Sequence, residues 1–378
     1  MQHLKLIPFP APRRYLLKSL RHQRGITLVE WMISITIGLV LLAGLTALIA
    51  QQSSTQAELE KSSRQIENGR YAIQLLNEDI QMAGYYGEFS KVSTTTPASL
   101  DPCSTNVTVI EDLMAFPVQG YDFPSSTTVR PSCIDAANHV AGTDILVVRR
   151  VEPATLTVAQ AASAPARGQV YLQSGLTPSG LEFAKKLGTG ADAGGTAVFT
   201  LFNKDGTTLA SLRKFHVHIY FVSPCSVMSN GSTCSSSDDG GKPVPTLKML
   251  ELSAAGNTTT MTTTALVEGI ENMQIDYGID ASGATADGSP DGQFVATTAA
   301  VADWANLVAL RVYLLARSTE SSAGYVDPKT YSMGYNSAAA LQTVTPSTDS
   351  YGNNVRPYKR RLFSQLIRVV NPSSRRDS

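Results

Sequence analysis

Acidic residues are missing from the start of this chain. Residues 1 to 25 hold Lys5, Arg13, Arg14, Lys18, Arg21 and Arg24 and no Asp or Glu, so an overall formal charge of zero hides an asymmetry. The remainder carries 25 basic against 31 acidic side chains, a formal charge of −6. That balance excludes nucleic acid as the main partner, because phosphate binding rests on clustered Lys and Arg. The run Lys359, Arg360, Arg361 and the tail pair Arg375 and Arg376 read as solvated positions. Histidine is scarce as well: of five, His3 and His22 fall in the basic leader and His139 stands alone in a loop. His216 and His218 lie two apart on one face of an expected strand and could present two metal ligands. No third ligand shows in the sequence, so the pair reads as the polar face of a half-exposed strand. The glycine-rich segment from Asp280 to Phe294 offers Asp280, Asp287 and Asp291 as oxygen ligands, but fails the EF-hand template in its glycine step and terminal glutamate. No G-x-S-x-G, Walker loop or H-E-x-x-H occurs. Neither a metal nor a cofactor is expected, and nothing supports an enzyme.

Cysteine is limited to Cys103, Cys133, Cys225 and Cys234, all beyond residue 100. Neither spacing matches a zinc pattern. If this part of the chain is exported, the compartment is oxidising and disulfides are expected. Three pairings are possible, and the reading favours sequence neighbours, Cys103 with Cys133 and Cys225 with Cys234. Chain-entropy arithmetic gives the first roughly 3 to 4 kcal/mol and the second somewhat under 3.

What the chain does have is one long apolar run. Residues 24 to 50 read RGITLVEWMISITIGLVLLAGLTALIA, in which Trp31 to Ala50 are twenty residues without a charge. At about 1.5 Å per residue this crosses a hydrocarbon core of roughly 30 Å. The basic leader keeps residues 1 to 25 on the cytoplasmic side, so the bulk of the chain is exported. A cleavable secretory signal would place a small-residue site after a shorter apolar core, whereas the plausible cut here lies before the run. Glu30, at the fifth position after Gly25, is the anomaly. A carboxylate in a segment destined for lipid costs several kcal/mol and needs a cationic partner.

Beyond the apolar run, residues 51 to 83 contain no proline and repeat every seven residues. Leu59, Ile66, Ile73 and Ile80 form one column with Ser62, Gly69, Leu76 and Ala83 beside it. Glu58, Lys61, Arg64, Glu67, Arg70, Asn77 and Glu78 lie opposite. The spacing predicts one helix from Ile26 to Ala83, stopped at Gly84. The rest reads as β-rich, with strands expected over 143–151, 169–173, 197–202, 214–222, 246–252, 270–279, 307–316 and 361–370. Val217, Ile219 and Phe221 share a face, as do Met273, Ile275, Tyr277 and Ile279. Surface loops are expected over 91–106, 226–243, 280–300 and 318–350. About 290 residues suffice for a real core.

The opening RGITLVE ahead of about twenty apolar residues resembles the class III signal of type IV pilins and type II secretion pseudopilins. Three further segments are similar to the PilW family of minor pilins: NGRYAIQLLNEDIQMAGYYG at 68–87, LVEGIENMQIDYGID at 266–280, and YKRRLFSQLIRVVN at 358–371, preceded by LVALRVYLLARS at 307–318. The resemblance implies an α+β, type IV pilin-like fold: a long N-terminal α-helix, half in the membrane and half amphipathic, packed on an antiparallel β-sheet head with long loops. It divides the chain into a cleaved leader (1–25), a membrane and filament-core helix (26–50), its amphipathic continuation (51–83) and a periplasmic head (84–378). It also implies that a prepilin peptidase cuts between Gly25 and Ile26 and methylates the new amino terminus. Glu30 then neutralises that amine, its own or a neighbour's, in a helical filament core. The implied partners are prepilin peptidase, other minor pilins, the major pilin and, before assembly, the inner membrane, with a place at the pilus tip afterwards. Two other readings stay open. A J-type pseudopilin shares the chemistry, and a signal-anchored periplasmic enzyme or binding protein would keep its N-terminus uncut.

Overall fold

The computed structural model describes residues 25–89, 100–122, 130–165, 167–180, 182–194, 198–281, 286–296, 301–336 and 340–374. The chain divides into two compact units, Met1–Ala57 and Glu58–Ser378. One helix, α1 (Leu28–Met82, 55 residues), contributes to both. Thr27 starts it: the amide of Glu30 donates to Thr27 Oγ1 at 3.2 Å and that of Trp31 to the Thr27 carbonyl at 3.1 Å. Thr at the cap with Glu three residues on is the capping-box pattern, and an acid in the first turn suits the helix dipole. Gly84 ends the helix with φ +72°, a left-handed conformation that a Cβ disfavours. The side chain of Asn371, far along the chain, donates to the carbonyl of Ala83 at 3.0 Å. A buried helix end thus finds a partner for a group it cannot satisfy itself.

In the second unit the strands are β1 (Val118–Tyr121), β2 (Ile145–Val151), β3 (Val170–Leu176), β4 (Phe183–Thr189), β5 (Leu212–Ser223), β6 (Thr246–Ala255), β7 (Thr258–Glu268), β8 (Ile270–Ile279), β9 (Leu307–Arg317), β10 (Tyr331–Tyr335), β11 (Leu341–Val344) and β12 (Arg360–Arg368). Their ladders are antiparallel. The twelve-residue β5 organises a seven-stranded sheet. Its residues 215–220 pair with β2 on one edge, while β3 and β6 share the other end to end, through 212–214 and 218–223. A second sheet runs β12-β9-β8, and β10 with β11 form a ribbon.

The larger sheet is covered on both faces, which is why β5 is buried at nearly every position rather than alternating. One face carries Val217, Ile219 and Phe221 and packs with Tyr86, Phe89 and the short helix α2 (Val107–Leu113). The other carries Tyr220 and Val222 and meets Ala72, Leu76 and Ile80 of α1 and Ala83 just after it, with Met273, Ile275, Leu310, Leu314 and Ile367 of the second sheet. Cys103 is bonded to Cys133, and Cys225 to Cys234.

Four expectations need correction. The row of α1 that is buried runs Gln65, Gly69, Ala72, Leu76, Asp79, Ile80 and Ala83, whereas Leu59, placed in the apolar column, is 67% exposed. Small and polar residues were chosen at the tightest contacts: a Cβ on Gly69 would stand 2.1 Å from the ring of Phe363 on β12. No strand covers 198–202, where Phe202 makes only single bridges to Leu176 and Leu209; Ala197 lies outside the described residues. The supposed loop 318–350 contains β10 and β11. Arg360 is buried rather than solvated, with its guanidinium bonded to Glu271 at 2.5 and 3.0 Å and to Asp327 at 3.3 Å. Arg375 and Arg376 lie outside the described residues.

Candidate functional site

Gly25 and Ile26 are exposed immediately before α1, and among the described residues no atom beyond the chain neighbours lies within 4 Å of a Cβ built on Gly25. The membrane-length stretch that follows has a mean hydropathy of 2.4 over its best window and none of that window is buried. Trp31, Met32, Val40, Leu41, Leu48 and Ile49 are all more than half exposed. A helix apolar around its circumference and free of packing suits lipid, not a water-soluble core. Its hydroxyls fit the same solvent. Ser34 donates to the Glu30 carbonyl at 2.7 Å, Thr36 to Ile33 at 2.8 Å, and Thr46 to Leu42 and Ala43 at 3.0 and 2.9 Å, so each polar group is satisfied within the helix. Glu30 is exposed in the first turn.

Within the second unit, polar contacts hold the Glu58–Met82 part of α1 at both ends. At the start, Glu58 accepts from Lys359 at 2.6 Å, Ser322 at 2.6 Å and Lys61 at 3.1 Å. Those bonds hold its carboxyl down at about 2. Gln65 donates to the carbonyls of Ala316 at 2.7 Å and Lys359 at 3.0 Å. At the other end, Asp79 accepts from Arg150 Nε at 2.6 Å and Tyr220 at 2.9 Å, and shares a hydrogen bond with His218 Nδ1 at 2.8 Å. Burial pushes Asp79 up, but the bonds and charges of His218 and Arg150 outweigh it and hold the carboxyl at about 2. Between these ends Asn68 donates to the Glu268 carbonyl of β7 at 3.0 Å and Asn77 accepts from Gln365 of β12 at 3.2 Å, while Gly69, Ala72 and Leu76 are the buried positions.

His216 and His218 are 8% and 6% exposed, so they do not form the half-exposed polar face that the sequence implied. Glu251 on β6 stands opposite His218 in the strand register and approaches His216 Nδ1 at 3.0 Å. The aspartates of the glycine-rich segment turn onto their own loop: Asp280 accepts from Gly288 N at 2.9 Å, Asp287 from Ser289 N at 2.9 Å and Asp291 from Ala281 N at 2.6 Å. His139 is buried beside Thr143, 3.1 Å away, and burial lowers its pKa to about 4.

Residues 20–46 match the prokaryotic N-terminal methylation motif, and residues 228–371 match type IV pilus-assembly protein W. Together the two matches support a PilW-like minor pilin of a type IV pilus. The chain is accordingly a type IV pilus subunit anchored through an N-terminal apolar helix, in a family of structural proteins. No curated protein and no solved structure matches it. In this PilW-like pilin the assembly-protein match spans β6 to β12, so it takes in the segments at 266–280, 307–318 and 358–371 but not 68–87. Asp79, Arg150, Glu251, Glu271 and Asp327 are the site residues that sequence reasoning missed. Asp79 did leave a trace: with Ala72, Leu76 and Ala83 it falls on the four-three-four spacing of a buried helix face.

Proposed function

We propose that this minor pilin is made as a membrane-anchored precursor, cut by prepilin peptidase between Gly25 and Ile26, methylated on the new amine, and incorporated with other minor pilins where a pilus starts. The carrying observation is the methylation-motif match at 20–46, joined to an unpacked apolar helix that begins with Glu30 in its first turn. In the dry bundle of a filament a bare ammonium at Ile26 is expensive, and an ionised Glu30 is equally so. Pairing them, within a chain or between neighbours, offsets both penalties and sets the axial register of an arriving subunit. The head then faces the periplasm during storage and the pilus tip after assembly. Bulky heads tile poorly along a thin fibre, which supports a low-copy place at its end.

Intact-mass measurement of protein extracted from an envelope with an active peptidase tests the reading. The expected mass lacks residues 1–25 and gains one methyl group. A chain that retains its leader under those conditions would count against it. Gly25→Val is expected to block the cut, leaving only the longer band on a blot.

A further inference from the structure

We propose that His216, His218 and Glu251 form a binding site for one divalent transition-metal ion, zinc being the ion their donor set suits. Two imidazoles and a carboxylate are an established zinc-ligand combination, with a fourth position left to solvent. Alternation along β5 puts both histidines on one face, their ring centroids 5.2 Å apart, and the β5–β6 register supplies Glu251 from across the ladder. One donor atom from each residue lies within 4.8 Å of the others. Glu251 Oε1 is 3.0 Å from His216 Nδ1 and 3.8 Å from His218 Nε2. Ligands about 2.0–2.2 Å from a tetrahedral ion stand roughly 3.3–3.5 Å from one another. The two separations of half-buried Glu251 bracket that spacing, so an entering ion has to lengthen one and shorten the other by less than about 1 Å.

The surroundings make this more than three adjacent groups. His218 Nδ1 is engaged by Asp79 at 2.8 Å, which leaves Nε2, the nitrogen nearer Glu251, as the free donor. A carboxylate behind a ligating histidine fixes its tautomer and ring orientation. Asp79 is itself oriented by Arg150 and Tyr220. Access is available as well, since the Glu251 side chain is 27% exposed. Lys214, 3.5 Å from Glu251 Oε1 and 31% exposed, is the cation an arriving metal displaces, and its flexible stem can turn outward. A bound ion would join β5 to β6 directly behind Asp79 of α1.

The test uses the full chain purified in detergent, stripped with EDTA and freed of chelator. Cobalt(II) titration followed by visible absorption, and zinc titration followed by calorimetry, should each saturate at one ion per chain. The cobalt spectrum should show the intense bands of four-coordination and vanish on adding zinc. Zinc should raise the unfolding temperature, because it binds the folded chain. Glu251→Gln and His216→Ala should each weaken zinc by about tenfold or more, since even an outer-shell partner is worth about 10–100-fold. Absence of saturable one-to-one binding in the wild type overturns the proposal. So does an affinity unchanged in Glu251→Gln, which would mean that the carboxylate is not a ligand. If circular dichroism shows His216→Ala unfolded, Glu251→Gln, which preserves side-chain shape, decides alone.

Discussion

Arg360 shows how one residue can reverse the meaning of a charge run. In the sequence it sits between Lys359 and Arg361 and looks wet; in the fold its side chain is wholly buried and receives Glu271 on one side and Asp327 on the other. It also donates to the carbonyls of Tyr358 at 2.9 Å and Val355 at 2.7 Å. Two carboxylates and two carbonyls therefore share one guanidinium, with Arg317 at 3.4 Å from Glu271 and the Tyr331 hydroxyl at 2.9 Å from Asp327 as their further contacts. Arg360→Leu is expected to destabilise the chain by about 3–5 kcal/mol, the usual cost of leaving a buried charge without its partner. The check is the denaturant midpoint of the detergent-solubilised variant. A midpoint within error of the wild type would mean that water reaches the two acids and that their burial is unimportant. Arg360→Lys should recover little, because an ammonium cannot span both carboxylates and two carbonyls in the planar fork that Arg uses.

At the scale of elements, what could be read from the sequence follows from how local the cause is. The β8 range 270–279 was legible because Met273, Ile275, Tyr277 and Ile279 alternate cleanly, and the 214–222 part of β5 because Val217, Ile219 and Phe221 do the same. β7, with the sequence TTTMTTTALVE, was not: six of its residues are exposed, so its cause is the long ladder with β6 rather than its own polarity pattern. The same distinction explains the helix face. Periodicity marked Gly69, Leu76, Ile80 and Ala83 correctly as part of the buried face but also included Leu59, which is exposed; what it did not show is that Gly69 is small because Phe363 of β12 stands against it. The His218–Asp79 contact joins residues 139 apart in sequence, and no local pattern announces it. Gly69→Leu tests the packing argument. Its side chain must push Phe363 aside, and forcing extra atoms into a filled contact typically costs about 1–3 kcal/mol. This outweighs the gain of up to about 1 kcal/mol from removing a helical glycine, so the melting temperature is expected to fall. A rise would show that Phe363 moves freely out of the way.

For the whole molecule, the decisive separation is between what folds the head and what delivers it. The unit from Glu58 onward has its own core and both disulfides, whereas Glu30 lies in the unit before it. Changing Glu30 is therefore expected to leave head stability alone and to act on assembly. Two substitutions separate its local from its electrostatic role. Glutamine keeps the shape and can still serve as the third residue of a capping box with Thr27, while alanine removes both the charge and the side-chain acceptor and keeps only the backbone bond to Thr27 Oγ1. If capping were all that mattered, Glu30→Gln would behave as wild type and only Glu30→Ala would fail. If Glu30 instead neutralises the amine of Ile26, both variants should be cleaved to mature length, retain a wild-type melting temperature, and be depleted from sheared pili to a similar extent. Quantitative mass spectrometry of the pilus fraction, normalised to the membrane pool, reads the difference. Wild-type incorporation of Glu30→Gln would overturn the ion-pair account while leaving the pilin assignment standing, because the motif at 20–46 and the domain at 228–371 do not depend on it.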